Sequence, residues 1–354
     1  SSELTSGTTI SGGAGNDTLT LSAGLTGSYI SMDGGTDVVT FNSNVLNSTV
    51  DFGDGSEIFT LSTGFSSSSL TGGGNDDTLV FSSTLTTSSV AGGAGADSMI
   101  VQAVFGSGNT LDAGLGADLV SFDSSVSGAR VLAGSGAGDD SLVFGSTVTA
   151  SLISLDAGND SIVFNSVVTN STLNGGSVTS NTIVFSSSVA DLVSMDGTFG
   201  DGSISMGAGA DTLVFLETAY AGTGYLYGGG GNDSLQFIDG AAVGAGTIAG
   251  GSGSDSFTFG GNLVSGIFAG GANTDVFSGS ISVGASGVSF WGGAGNDTFT
   301  FTQITGSGAA GGTAYFWNES GTDSLTFSGS GVTFGNAGSA QAIFGVSSGS
   351  SVAA

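Results

Sequence analysis

The sequence predicts an all-β fold, a right-handed parallel β-solenoid of about 15 rungs with about 20 residues in each. Three observations predict it. An acidic residue recurs at a near-constant step, four apolar positions recur in phase with it, and 68 of the 354 residues are Gly with no Pro. The acids end Gly-rich turns and precede short apolar segments. They are Asp17, Asp37, Glu57, Asp77, Asp97, Asp118, Asp140 and Asp160, then a degenerate unit at Asn181, then Asp211, Asp233, Asp255, Asp275, Asp297 and Asp323. Most steps are 20 to 22 residues; the step into Asp211 is 30 and the step into Asp323 is 26. These two are expected to hold insertions, near residues 191–210 and 302–322.

Within a rung, the second residue after the acid is apolar, as at Leu19, Val39 and Leu79, and the fourth is usually Phe, as at Phe41, Phe81, Phe122 and Phe144. Such alternation, rich in Val, Thr and Phe, reads as a strand with one buried face. A third apolar position comes next (Leu25, Val45, Phe65), then a fourth (Ile30, Val50, Leu70), with Ser, Thr and Asn between them. Four inward columns on one coil describe two short strands and two turns, stacked in parallel at about 4.8 Å. A helical reading fails, because Gly and β-branched residues fill every segment and no stripe of period 3.6 is present. The solenoid is expected over residues 1–330, with 331–354 as a C-terminal cap or tail.

One basic residue, Arg130, stands against 29 acidic ones, for a formal charge of −28. With no array of cations to neutralise phosphates, nucleic acid is excluded as a partner. The lack of Cys and His removes disulfides, Cys/His zinc sites and histidine general bases. No apolar run reaches the roughly 20 residues of a transmembrane segment. An enzyme is not expected. Arg130 reads as a surface residue, and the adjacent Asp76–Asp77 and Asp139–Asp140 read as extra cation ligands rather than an acid–base pair. Because the chain begins with Ser, it is expected to be a fragment or a processed form.

Stacking the rungs sets 14 of the 29 acids in one column. Five of the turns before them read G-G-x-G-x-D, at residues 12–17, 92–97, 228–233, 250–255 and 292–297. Their glycines are Gly12, Gly13, Gly15, Gly92, Gly93 and Gly95, then Gly228, Gly229, Gly231, Gly250, Gly251, Gly253, Gly292, Gly293 and Gly295. Asp33, Asp112, Asp156 and Asp196 add charge at turn starts. Carboxylates one rung apart repel by roughly 0.9 kcal/mol even at the dielectric of water, and no basic column offsets them. A cation from solution is expected to do so. Hard carboxylate and carbonyl oxygens presented by Gly turns select Ca²⁺, several ions in a row, over Mg²⁺ or a transition metal. Asn181 is expected to leave a gap in that row. The opposite edge, reading NSNVLNST or SSTLTTSS, is expected to be held by Ser, Thr and Asn hydrogen bonds.

The five strict turns resemble the nonapeptide of the RTX (repeats-in-toxin) calcium-binding family, and the resemblance covers most of residues 10–330. It implies a parallel β-roll with Ca²⁺ held between consecutive turns, and secretion by a bacterial type I system. The chain departs from the family's basic roll, whose nine-residue motif lines both edges, in carrying its calcium-binding turns on one edge only. The expected function is structural: a secreted, extracellular, Ca²⁺-stabilised rod at a bacterial cell surface that self-assembles in a surface layer or filament. The alternative is an adhesin stalk or glycan-binding module of a large secreted RTX protein. Ice binding is disfavoured by the irregular series before the acids, Asn16, Thr36, Ser56 and Asp76. Next to the inward Leu226, Phe290 and Phe316, the alternation turns Tyr225, Tyr227, Trp291, Tyr315 and Trp317 outward. They are the expected contact surface for another subunit or a glycan.

Overall fold

A computed structural model of the chain describes residues 4, 6–136, 138–155, 157–178, 181–199, 201–216, 223–238, 243–284, 286–306, 313–327, 341–346 and 351–353. The chain divides into two units, Ser1–Leu173 and Asn174–Ala354. Each is a β-solenoid of stacked parallel strands, with no helix among the described residues.

In the first unit one coil is well illustrated by the residues after Asp37. Val38–Phe41 forms a strand, Val45–Leu46 a second, and Thr49–Asp51 a third, before a Gly-rich turn leads to the next acid. Each strand pairs with its counterpart one coil on, Val38↔Ile58, Val45↔Phe65 and Thr49↔Ser69 among them. Burial alternates as the sequence alternates: Val39 and Phe41 are inside, Val38 outside. A Cβ every second residue on each face is what the pleat imposes.

The inward columns stack like on like. Phe122, Phe144 and Phe164 lie face to face, with ring centroids 5.0 and 4.9 Å apart. Each such pair contributes about 0.5–1.5 kcal/mol beyond the area it buries. One residue per coil takes a left-handed conformation at the corner opposite the acids: Gly27, Asn47, Ser67, Thr87, Gly128, Ala150 and Asn170. Gly and Asn are favoured there by backbone sterics, which accounts for Asn47 and Asn170.

The second unit repeats the plan with longer strands. Tyr225–Gly230, Thr247–Ser252, Gly266–Ala272, Val288–Ala294 and Thr313–Asn318 pair in sequence on one side. Thr212–Phe215, Ser234–Phe237, Ser256–Phe259, Val276–Val283 and Thr298–Gly306 pair on the other. Near the C-terminus, Gln341–Val346 pairs with Thr313–Asn318 and Ser351–Ala353 with Thr322–Phe327. Within the 302–322 segment, residues 307–312 lie outside the described residues.

In this unit the strand after Asn181, Thr182–Phe185, pairs with Ser203–Ser205, which precedes the turn of Asp211. Asn181 and Asp211 therefore stand at opposite edges, not in one row as the turn alignment expects. The acid in line with Asp211 is Asp191, since Leu192, the residue after it, pairs with Thr212. Asp191 to Asp211 is 20 residues, so residues 191–210 are an ordinary coil and not an insertion. What stands between Asn181 and Asp191 is half a coil.

Candidate metal centre

The acids turn inward. From Asp37 to Asp160, and again from Asp191 to Asp323, every one is buried, with exposures of 0 to 6 %, whereas Asp17 on the first coil is half-buried. One oxygen of most of them has a clear structural task. The backbone N–H of Asp77 donates to Asp97 Oδ1 at 2.8 Å, that of Asp97 to Asp118 Oδ1 at 2.7 Å, and that of Asp118 to Asp140 Oδ1 at 2.8 Å. Asp17 donates to Asp37, Glu57 to Asp77 and Asp140 to Asp160 in the same way. In the second unit the ladder runs Asp191, Asp211, Asp233, Asp255, Asp275, Asp297, Asp323, at 2.6–2.9 Å. Each rung in these two series is thus stapled to the next by a charge-assisted hydrogen bond, and the step from Asp37 to Glu57 lies outside them.

The other oxygen has no such task. Oδ2 of Asp17, Asp37, Asp77, Asp97 and Asp118 is buried with no hydrogen-bond partner among the described residues, as is Oδ2 of Asp211, Asp233, Asp255, Asp275, Asp297 and Asp323. Both side-chain oxygens of Glu57 share that state. These atoms sit over the glycine that opens the turn. A Cβ added at Gly72 would collide with Asp77 Oδ2 and with the Gly92 carbonyl oxygen of the next coil. At Gly92 it would meet Asp97 Oδ2 and the Ala113 carbonyl, and at Gly228 it would lie 2.7 Å from Asp233 Oδ2 and 2.6 Å from the Gly250 carbonyl. Gly12, Gly250 and Gly292 pack against Asp17, Asp255 and Asp297 likewise. The space above each of these glycines is therefore lined by a carboxylate oxygen, joined at Gly12, Gly72, Gly92 and Gly228 by a carbonyl oxygen of the following coil. Gly13, Gly15, Gly93, Gly95, Gly229, Gly231, Gly251, Gly253, Gly293 and Gly295 adopt positive φ and carry the chain round the turn.

Electrostatics follow from this burial. Loss of hydration pushes Asp97, Asp211 and Asp275 up to about 7 and Asp255 and Asp297 up to about 6, each opposed by the backbone N–H of the preceding acid. Asp118, Asp233 and Asp323 are raised for the same reason. Glu57 and Asp77 are raised by burial first, and Glu57 further by Asp77 beside it.

Asn181 displays what the second atom does when it can donate. It is buried, and its Nδ2–H gives a hydrogen bond of 3.0 Å to the Gly175 carbonyl of its own turn. A carboxylate in that place would set oxygen against oxygen.

The fit to a hard cation is therefore good in kind: unbonded carboxylate oxygens and turn carbonyls facing one another, without a countercharge. Among the described residues no three carboxylates converge on a point, so a cation here would draw most of its ligands from the backbone. Asp76 and Asp139, expected as extra ligands, have another task. Asp76 Oδ1 accepts the N–H of Ala96, and Asp139 Oδ1 that of Asn159, both at 2.8 Å. Asn16, Asn232 and Asn296 do the same for Thr36, Ser254 and Thr322. Asp and Asn are interchangeable there because only one acceptor is used. Asp33 bonds Ser11 and Ser31 and is lowered by them; Asp156 and the side chain of Asp196 lie outside the described residues.

The edge opposite the acids in the first unit is a serine ladder. The N–H of Ser28 donates to Ser48 Oγ, Ser48 to Ser68, Ser68 to Ser88 and Ser151 to Ser171, at 3.1–3.3 Å. Each hydroxyl donates in turn to the carbonyl two residues back, as Ser48 does to Leu46 at 2.8 Å. In the second unit the edge opposite the acids carries Asn181, Gly202, Gly224 and Gly246, linked by backbone bonds, and beside them the N–H and hydroxyl of Thr223 donate to Asp201 Oδ1, both at 2.7 Å.

Tyr225, Tyr227 and Trp317 are exposed, Trp291 and Tyr315 half-buried, and Leu226, Phe290 and Phe316 are inside. Arg130 lies exposed on the first unit, with no ion pair among the described residues. Comparison of the chain with protein-family models, with curated proteins and with solved structures finds no match to any of them.

Proposed function

We propose that the chain is a structural, extracellular protein, a β-solenoid locked by Ca²⁺ and built to self-associate in a surface layer or filament. The observation that carries this reading is the row of buried, unbonded carboxylate oxygens facing turn carbonyls. Burying a carboxylate without a partner is costly, and the fold repeats that cost in coil after coil. Asp17, Asp37, Glu57, Asp77, Asp97, Asp118, Asp140 and Asp160 would hold ions in the first unit, and Asp191 to Asp323 in the second. When bound, the cation supplies the positive charge that lets two facing oxygens share one space. The protein's own atoms do the rest: the Oδ1 staple sets each carboxylate, and the turn glycines leave room for it.

Self-association is supported by the first unit's outer face, where Val38 and Ile58 stand 36 and 48 % exposed on neighbouring strands and Leu119 stands 47 % exposed in the same row three strands on from Ile58. Secretion and a cell-surface setting rest on the likeness of the turns to the RTX nonapeptide, and on the roughly 10⁻⁴–10⁻³ M calcium typical of extracellular sites.

A calcium titration followed by far-UV circular dichroism and sedimentation tests the reading. Chelated protein should lose its β signal at a far lower urea concentration, and millimolar calcium should raise that midpoint and yield large assemblies. A chain equally stable in chelator and in calcium would overturn the calcium lock. Calcium-dependent folding to a lasting monomer would overturn the self-assembly.

A further inference from the structure

One face of the second unit is unlike the rest of the molecule. Register places Tyr225, Thr247, Ile267, Ser289 and Tyr315 in one outward row. Beside it run Tyr227, Ala249, Ala269, Trp291 and Trp317. Neither row contains a residue charged at neutral pH, in a chain of net charge −28.

The relief of this face is specific. Tyr225 and Tyr227 sit side by side with ring centroids 6.5 Å apart, forming a ledge on one coil. Trp291 and Trp317 stack on successive coils at 5.5 Å and 23°, with Tyr315 next to Trp317, forming a second ledge. Between Tyr227 and Trp291 lie three coil steps, about 14 Å at the usual strand spacing. That interval is floored by Ala249 and Ala269 and flanked by the hydroxyls of Thr247 and Ser289. The Ala residues keep the floor low, and the strands beneath hold it flat.

We propose that this face binds a neutral polysaccharide lying along the coil stack, with sugar rings on the Trp and Tyr ledges and the chain between them over the Ala floor. A sugar ring offers an apolar face of C–H bonds and a rim of hydroxyls. Flat aromatic side chains match the first, and the hydroxyls of Tyr, Thr and Ser match the second. The charge pattern selects among occupants. A ligand recognised by charge finds no partner on this face. A neutral polymer needs none. The proposal does not depend on the calcium reading beyond requiring a folded chain.

The chain has two tryptophans, and both lie on this ledge, so tryptophan fluorescence reports on the site alone. The folded protein, in calcium with its β signal confirmed, is titrated with cellulose-type, xylan, β-glucan and α-glucan polymers and with the polyanion alginate. Affinity electrophoresis on the same panel runs in parallel. We expect at least one neutral polymer to shift the fluorescence and retard migration. Trp317→Ala and Tyr227→Ala should each weaken that binding tenfold or more, and Tyr29→Ala, an exposed aromatic of the first unit, should leave it unchanged. No binding by any neutral polymer, or equal binding of alginate, would overturn the proposal. So would a fluorescence shift driven by protein concentration alone with dimers lost in Trp317→Ala, which would assign the face to a second copy.

Discussion

The first unit closes its two edges with the same hydrogen bond. On one, the N–H of Asp77 finds Asp97 Oδ1; on the other, the N–H of Ser48 finds Ser68 Oγ. Both reach one coil forward and both acceptors are buried. They differ by one atom. The serine hydroxyl uses its proton on a local carbonyl and leaves nothing over, while the aspartate keeps a second oxygen with no hydrogen-bond partner among the described residues. Stapling the coils therefore does not require a carboxylate. The extra oxygen adds a burial cost that a serine would avoid, and a feature that costs stability in the bare chain points to something that binds it.

Five substitutions and one change of condition bear on this contrast, from the largest effect to the smallest. Asp97→Ala removes both the staple and the cation oxygen, and should cost about 3–5 kcal/mol in saturating calcium, as breaking a buried ion pair does. Ser68→Ala, across the coil, removes a staple alone and should cost about 1–3 kcal/mol. Denaturant titration of both variants, with calcium and with chelator, separates the two edges: only the Asp97 variant should lose part of its penalty when calcium is withdrawn. Gly92→Ala drives a methyl group into Asp97 and the Ala113 carbonyl, and should cost about 1–3 kcal/mol, visible as a lower urea midpoint.

Next come the exchanges that Asn181 suggests. Asp97→Asn keeps an acceptor for Asp77 and supplies a donor for the facing carbonyl. In chelator it should be more stable than the parent by about 1 kcal/mol, a net hydrogen bond's worth, and in calcium less stable. Asn181→Asp should show the reverse pair of signs. Equal shifts in both buffers would dissolve the distinction between the edges.

The mildest test is pH. In chelator, Asp97, Asp211 and Asp275 titrate near 7 when folded and near 4 when unfolded. Below about pH 4 both states hold the proton, and between about 4 and 7 only the folded state does. Stability of the calcium-free chain should therefore fall as pH rises through that window. Urea midpoints measured from pH 4 to 7 read this directly, and saturating calcium should cancel or reverse the slope.

Much of this was legible in the sequence. The acid period, the Phe columns and the outward Tyr and Trp rows follow from alternation and step length, because a parallel stack repeats whatever one coil does. The phase of the acids was not. Both halves of a coil are about ten residues of the same alternating pattern, so a half-coil slip changes no apolar position. Asp191 also lacks the glycines that mark its fellows: Ser187 makes its turn instead, donating to the Val189 carbonyl and accepting the Val189 N–H. The signal lay in the strand after Asp191, since ADLVSM at 190–195 repeats ADLVSF at 117–122 almost letter for letter. The inward aim of the carboxylates was also hidden, because an Asp that caps a solvated turn and an Asp that bonds the previous coil have the same neighbours in sequence.

The one-coil register has a genetic consequence. Within either unit, recombination that adds or removes a whole coil keeps every ladder in line, so chains of different length can arise with their edges intact. A gain of half a coil is a different mutation. It leaves the apolar columns in place, and it moves every downstream carboxylate to the edge that had none.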